Sequence, residues 1–312
     1  MTHVAGSIPD KGRTIWPLSD RAREAALAYL CLTPWIVGFL VFTLGAMLFS
    51  FGLAFTTTDM LTGIKFVGLA NVSEMLHDKL VLKSLRVTGT YALGSVPLGI
   101  VLSLGIALML NQDVPLRSLW RMLYYLPSVV SGVAVAILWS WIFNPRIGLI
   151  NTALAAIGVE GPAWIFSEQW AVPSLIIMSM WGVGGNMLLY LAGLQGIPTA
   201  LYDAAKIDGA SAVQRFRHVT LPMLSPTIFF TLVMGVIGTF QFFTEPLVMT
   251  QGGPNNATLS VLLYIYRKSF VQLHFGYASL LAWMLFLIIL VCTLVVIRSS
   301  SIWVYYEGEL RR

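Results

Sequence analysis

Six long apolar stretches separated by short polar ones set the pattern of this chain. They run near 27–55, 88–110, 120–143, 172–194, 222–244 and 276–297. Crossing the hydrocarbon core of a bilayer takes about 20 apolar residues as a helix. A closed barrel would instead need alternating strands of about ten residues, and these runs are continuous. The pattern therefore predicts an all-α, polytopic membrane protein of six transmembrane helices. Its expected parts are a tail at 1–26, a membrane domain at 27–298 with a polar loop at 196–222, and a tail at 299–312. The first 26 residues are polar and mixed in charge, with no small-residue cleavage site after the first apolar run, so that run is expected to be a retained anchor. The polar pieces are too short for a soluble catalytic domain. No internal repeat or low-complexity tract interrupts them.

Composition agrees with this pattern. Of the 312 residues, 57% are hydrophobic and 11% charged, less than half the charge of an ordinary soluble domain. That balance excludes disorder. The net charge of +5 and the pI near 9.3 are explained by Lys and Arg in cytoplasmic loops, without nucleic acid. One side of the predicted membrane collects twelve basic residues: Lys11, Arg13, Arg21, Arg23, Arg117, Arg121, Lys206, Arg215, Arg217, Arg298, Arg311 and Arg312. The other has seven, namely Lys65, Lys79, Lys83, Arg86, Arg146, Arg267 and Lys268. The richer side is expected in the cytoplasm, with both termini and the 196–222 loop. Trp16, Trp120, Trp141 and Trp170 fall at predicted span ends, where tryptophan anchors a helix to the interface. Cys31 and Cys292 both lie in apolar stretches, which suggests neither a disulfide nor a metal site.

The usual chemical motifs do not occur. There is no phosphate-binding G-x-x-x-x-G-K-[ST], so this chain is not expected to hold a nucleotide by that route. Gly182, Gly184 and Gly185 follow no strand and read better as close helix packing or a local break. His3, His77, His218 and His274 are scattered, with no i, i+4 pair for a metal. No Ser-His-Asp or G-x-S-x-G arrangement appears, and no enzyme activity is expected. Asn71-Val72-Ser73 and Asn256-Ala257-Thr258 match the glycosylation pattern, which arises readily by chance. An ion-coupled carrier would need carboxylates within its spans. The one candidate, Glu245, stands at the outer end of the fifth run beside Pro246 and reads as a solvated helix end. Energy for transport would have to enter from elsewhere.

The 196–222 loop is the most informative segment. Pro198 suits a first helical turn, and 200–207 are good helix formers. Gly209 can take the positive φ that ends the helix. Ser211 can cap a second short helix through Phe216, and Pro222 is expected to open the fifth span. Leu201, Ala204, Ala205 and Phe216 are candidate apolar contacts, and the small residues suit close approach by another protein. Asp203-Ala204-Ala205, Asp208-Gly209-Ala210, Phe216 and Leu221-Pro222 resemble the EAA loop of binding-protein-dependent ABC importer permeases. Tyr124-Tyr125-Leu126-Pro127 leading to Trp141-Ile142-Phe143-Asn144-Pro145, with Gly148 and Asn151, resembles the third-span region of sugar permeases. Thr250-Gln251-Gly252-Gly253-Pro254, then Thr258 and Tyr264-Ile265-Tyr266, resembles the outer loop of the maltose-type, first-subunit branch. Asp203 stands where the family usually has Glu, which keeps the charge and shortens its reach.

The resemblance implies the type I ABC importer permease fold, in the inner membrane of a prokaryote. It implies a coupling helix at Tyr202, Asp203, Ala204, Ala205, Asp208 and Gly209, seated in a separate ATPase subunit. It also implies a second permease subunit, two ATPase subunits that hold ATP and magnesium, and an extracytoplasmic solute-binding protein. This chain would carry no cofactor of its own. For a sugar or oligosaccharide, the polar and aromatic residues of spans three to five are candidate path residues: Ser128, Ser131, Ser179, Trp181, Asn186, Tyr190, Thr239, Gln241 and Phe242. Packing or bonding to the preceding turn is an equal reading for each. Asn186 and Gln241 are favoured, because an amide in hydrocarbon needs a partner. A glycerol phosphate ester as solute, an ion-coupled carrier and an intramembrane enzyme are the alternatives.

Overall fold

The computed structural model describes residues 20–58 and 63–305. Lys11, Arg13, Trp16, Arg311, Arg312 and most of both expected tails lie outside the described residues. The chain divides into two compact units, one ending at Gly52 and the other beginning at Leu53. The first is essentially helix α1 (Arg21–Leu53), with Pro34 inside it and one wider helical turn at Phe39–Gly45. Leu30, Trp35, Val41, Phe42 and Phe49 are all exposed along it. A helix that is apolar all round is made for lipid or for another chain's spans.

The second unit is built on α3 (Lys79–Leu110), which follows the short helix α2 (Ala70–His77). Asp78 accepts from the Leu80 backbone N–H at 2.9 Å, so α3 starts nine residues before the predicted second span. Three further long elements pack along α3. They are α7 (Ala171–Gly182) with α8 (Gly184–Gln195), and α10 (Ala212–Phe240). Helix α12 (Phe275–Trp303) packs on α10 and on the short α11 (Val261–Tyr266). Small residues permit these approaches: a Cβ on Gly235 would stand 3.3 Å from Val96, and one on Gly193 2.8 Å from Leu224. The core follows α3 from end to end. Val81 packs with Leu259, Leu263, Tyr264, Tyr277 and Leu281 at one end, and Ala107 and Leu110 with Met187, Leu191, Leu194 and Leu224 at the other. Two-residue strands β1 (Thr56–Thr57) and β2 (Lys65–Phe66) pair antiparallel. Asn71 is buried and donates its amide to the carbonyls of Ala54 and Thr56, so the first glycosylation match is a structural residue.

Among the described residues, four helices are long and apolar enough to cross a membrane unbroken, and two bent pairs bring the total to six if each pair is one span. The third predicted span is broken by 98° between α4 (Arg117–Val129) and α5 (Gly132–Ile142). Pro127 removes a backbone donor, and Val130 and Ser131 are extended. The fourth is bent by 48° between α7 and α8, where Met180–Gly182 tightens into a 3₁₀ turn. Continuous apolar sequence concealed the first break, whereas the second falls at Gly182 and Gly184, where the sequence points to close packing or a local break. The fifth helix starts at Ala212, ten residues before Pro222, because a wider turn at Phe216–Thr220 carries it past that proline. Glu245 is not on that helix, which ends at Phe240; it precedes the helical turn Pro246–Thr250.

Candidate functional site

Helix α9 (Thr199–Ile207) follows Pro198. Its end is a Schellman motif: Ala210 N–H reaches Ala205 O at 2.9 Å and Gly209 N–H reaches Lys206 O at 3.0 Å. Gly209 has φ +74°, which glycine adopts without a Cβ penalty. Ser211 and Gln214 form a reciprocal capping box, with bonds of 2.7 and 3.3 Å. The Arg215 guanidinium donates to Ala210 O at 2.6 Å, and the Tyr202 hydroxyl lies 3.0 Å from Thr220 Oγ1. The second loop helix is therefore the first part of α10. The turn after α9 thus leads directly into a continuous helix of 29 residues.

The six loop residues stand together. Asp203, Ala204, Asp208 and Gly209 are exposed, while Tyr202 and Ala205 are half-buried. Asp203 is paired with Lys206 at 3.0 Å, both side chains being largely in solvent, so the pair contributes little stability and leaves the carboxylate available. Two large apolar side chains flank them, Ile207 at 87% and Val213 at 74% exposure. Sequence reading passed over both, favouring Leu201 and the small residues.

The path candidates separate into groups. Ser128, Ser131, Ser179 and Trp181 lie at the two span breaks, whose turns at 126–129 and 180–182 touch. Ser128 and Ser179 spend their hydroxyl protons on Tyr125 O and Ile176 O, both at 2.7 Å. Trp181 opens into a cavity of about 360 Å³ with Ile106, Trp120, Leu123, Tyr124, Pro127, Met180 and Val183. Asn186 is exposed. Tyr190 and Phe242 are not on an open path: Tyr190 is fully buried and bonded to Thr231, and Phe242 stacks on Tyr91 at 4.0 Å in the core. For these two, packing is the role the structure shows. Thr239 bonds back to Gly235 O at 2.8 Å. Gln241 lies away from Trp181, in an apolar groove with Leu285, Ile289 and Thr293, its amide donating to Ile237 O.

At the opposite end of α3, Asp78 gathers three elements. It accepts from the hydroxyls of Tyr264 and Tyr277, the latter at 2.8 Å, and Lys268 sits over both rings at 5.5 and 5.0 Å. Burial alone would raise the Asp78 pKa. The bonds from Tyr264, Leu80 N–H and Tyr277, with the charge of Lys268, outweigh it and hold the carboxyl below its ordinary value. Burial, and then the bond to Asp78, push the Tyr264 hydroxyl up. Lys83 donates to Asn255 O, and Arg267 to Asn256 Oδ1 and Gln251 O. The 251–258 loop is thus fixed by two cations.

The profile of the family described as "Binding-protein-dependent transport system inner membrane component" matches residues 95–304, from the middle of α3 through α12. The chain belongs to that family. This permease is 42% identical over 292 residues to the probable ABC transporter permease protein YesP of Bacillus subtilis (strain 168), covering 92% of this chain and 94% of that one. It is 33% identical over 278 residues to the trehalose/maltose transport system permease protein MalF of Thermococcus litoralis, covering 88% and 94%. A crystal structure of a bacterial alginate ABC transporter, in complex with an alginate pentasaccharide-bound periplasmic protein, contains a chain that superposes with a TM-score of 0.78. The two are 25% identical, over 90% of this permease and 96% of that chain. The permease is thus a multi-pass inner-membrane transport component.

Proposed function

We propose that this permease is one membrane subunit of an ATP-driven importer for a sugar or oligosaccharide. It would work beside a second permease subunit, two ATPase subunits and an extracytoplasmic binding protein. The observation that carries the reading is the 196–222 loop: a short helix with exposed Asp203, Ala204, Asp208 and Ile207, joined through the Gly209 turn to a continuous 29-residue helix. Such a lever turns closure of a partner into rigid-body rotation of helices. ATP and magnesium would reside in the partner ATPases, and the loop and both termini would face the cytoplasm. A carbohydrate solute is supported by relatives whose names give trehalose, maltose and alginate. Alternating access follows: the loaded binding protein docks outside, the ATPases close on ATP, and the spans reopen outward.

The test is uptake by proteoliposomes holding the assembled importer and its binding protein, with ATP inside. Maltose, trehalose, alginate oligosaccharide and glycerol 3-phosphate would be offered singly. Uptake of one of the carbohydrates, dependent on ATP, supports the reading. Uptake of glycerol 3-phosphate alone makes the solute a phosphate ester. Uptake driven by an ion gradient without ATP rejects the importer.

A further inference from the structure

The two broken spans meet at one cavity, and three aromatic rings from both spans converge on it. Trp120 and Tyr124 come from α4 and Trp181 from the end of α7, with exposures of 46%, 40% and 37%. Backbone that leaves helical geometry at membrane depth is tolerated only where protein covers it or where it lines an aqueous cavity. Both the 126–129 and 180–182 turns border this one. A smaller cavity of about 190 Å³ shares Trp120, Tyr124 and Ile106 and continues past Met109 to Leu110 and Val114. Leu110 packs beside Ile197, with Tyr202 against the same cluster, so the slot leads from the span breaks to the coupling-loop end.

From this geometry we infer that Trp120, Tyr124 and Trp181 form an inner stacking station for the pyranose rings of the solute, between the span breaks and the coupling-loop end. The inference rests on the carbohydrate reading above. A pyranose presents C–H faces that stack on aromatic rings and edge hydroxyls that bond to polar groups, here the Tyr124 hydroxyl and the indole N–H groups of Trp120 and Trp181. An anchoring belt would spread its rings over the lipid-facing span ends. These rings gather in one slot between two elements of the same chain. The station bears on transfer after the solute has been delivered, so it sets rate more than apparent affinity.

Two measurements test it. In the assembled importer with Cys31 and Cys292 replaced by Ser, Trp120→Cys and Tyr124→Cys are exposed to a membrane-impermeant maleimide in inside-out vesicles, with Val295→Cys as a lipid-face control. Labelling at 120 and 124 but not at 295, reduced by the transported sugar, is expected. No labelling at 120 and 124 in any nucleotide state overturns the station, because the rings then face lipid or the second subunit. In proteoliposomes, Trp120→Ala or Tyr124→Ala lowers uptake at saturating sugar by about tenfold, the order of one lost aromatic contact. Trp120→Phe and Tyr124→Phe, which keep a ring, recover most of it. Uptake indifferent to both Ala changes overturns the station alone. A wild-type importer that carries no sugar of the panel overturns the carbohydrate reading and the station with it.

Discussion

The Tyr202 hydroxyl lies 3.0 Å from Thr220 Oγ1, which ties α9 to the helix that follows it. That bond and the Arg215 contact to Ala210 O close the turn between α9 and α10 into one piece. Tyr202→Phe keeps the ring and removes about 1 kcal/mol of net bonding. The expected result is nearly unchanged assembly with less solute carried per ATP. Uptake and hydrolysis measured on the same vesicles check it.

Gly209 holds φ +74° with nothing near its missing Cβ. Gly209→Ala therefore meets no clash and costs only backbone strain, about 1–2 kcal/mol. Thermal unfolding in detergent should shift slightly, while ATP-coupled uptake falls further, because the strain is relieved by tilting α9.

A Cβ on Gly184 would run into the Tyr124 carbonyl and stand 2.8 Å from the Tyr125 Cα. The obstacle is backbone, which cannot swing aside as a side chain can. Gly184→Ala is expected to destabilise the permease by about 1–3 kcal/mol and to open the contact of α4 with α8. The neighbouring Gly185, with nothing within 4 Å, should accept Ala. Comparing the yields of monodisperse protein for the two changes decides the point.

Asp78, just outside its span, carries the pH dependence. Its folded pKa lies below the ordinary value of an aspartate. A depressed carboxylate contributes stability that is present above its unfolded pKa and lost as pH falls through the folded one. Protease resistance of the 251–274 segment should hold at neutral pH and decline only below about pH 4. Asp78→Asn should loosen that segment at neutral pH and flatten the decline.

Much of this was legible in the sequence. Length and apolar continuity located the six hydrophobic segments, and the 196–222 residues told of a short helix ended at Gly209 and a second one capped by Ser211 before any coordinates did, because both residues act locally. The break in the third segment was not legible, whereas Gly182, Gly184 and Gly185 already suggested close packing or a local break in the fourth, where the 48° bend falls. Nothing in the sequence singled out Pro127 as a break, and the packing of Gly184 on Tyr124 shows the close approach that the break permits. The start of α10 was misplaced because Pro222 seemed a first-turn residue, whereas a wider turn absorbs it. Tyr190 and Phe242 looked like path residues because a buried aromatic and a lining aromatic have the same sequence. The Asp78 cluster joins residues 186 and 199 positions apart, a distance over which no local pattern speaks.

The central claim is that the 196–222 loop transmits ATP closure to the spans. Its most direct test is ATP hydrolysis by the assembled importer in a bilayer, with binding protein and the sugar panel, for wild type and for Asp203→Lys with Gly209→Pro. Sugar-stimulated hydrolysis in wild type, abolished by the double change while all subunits still copurify, is the predicted result. Stimulation that survives the double change, or an assembly with no ATPase at all, would contradict the account.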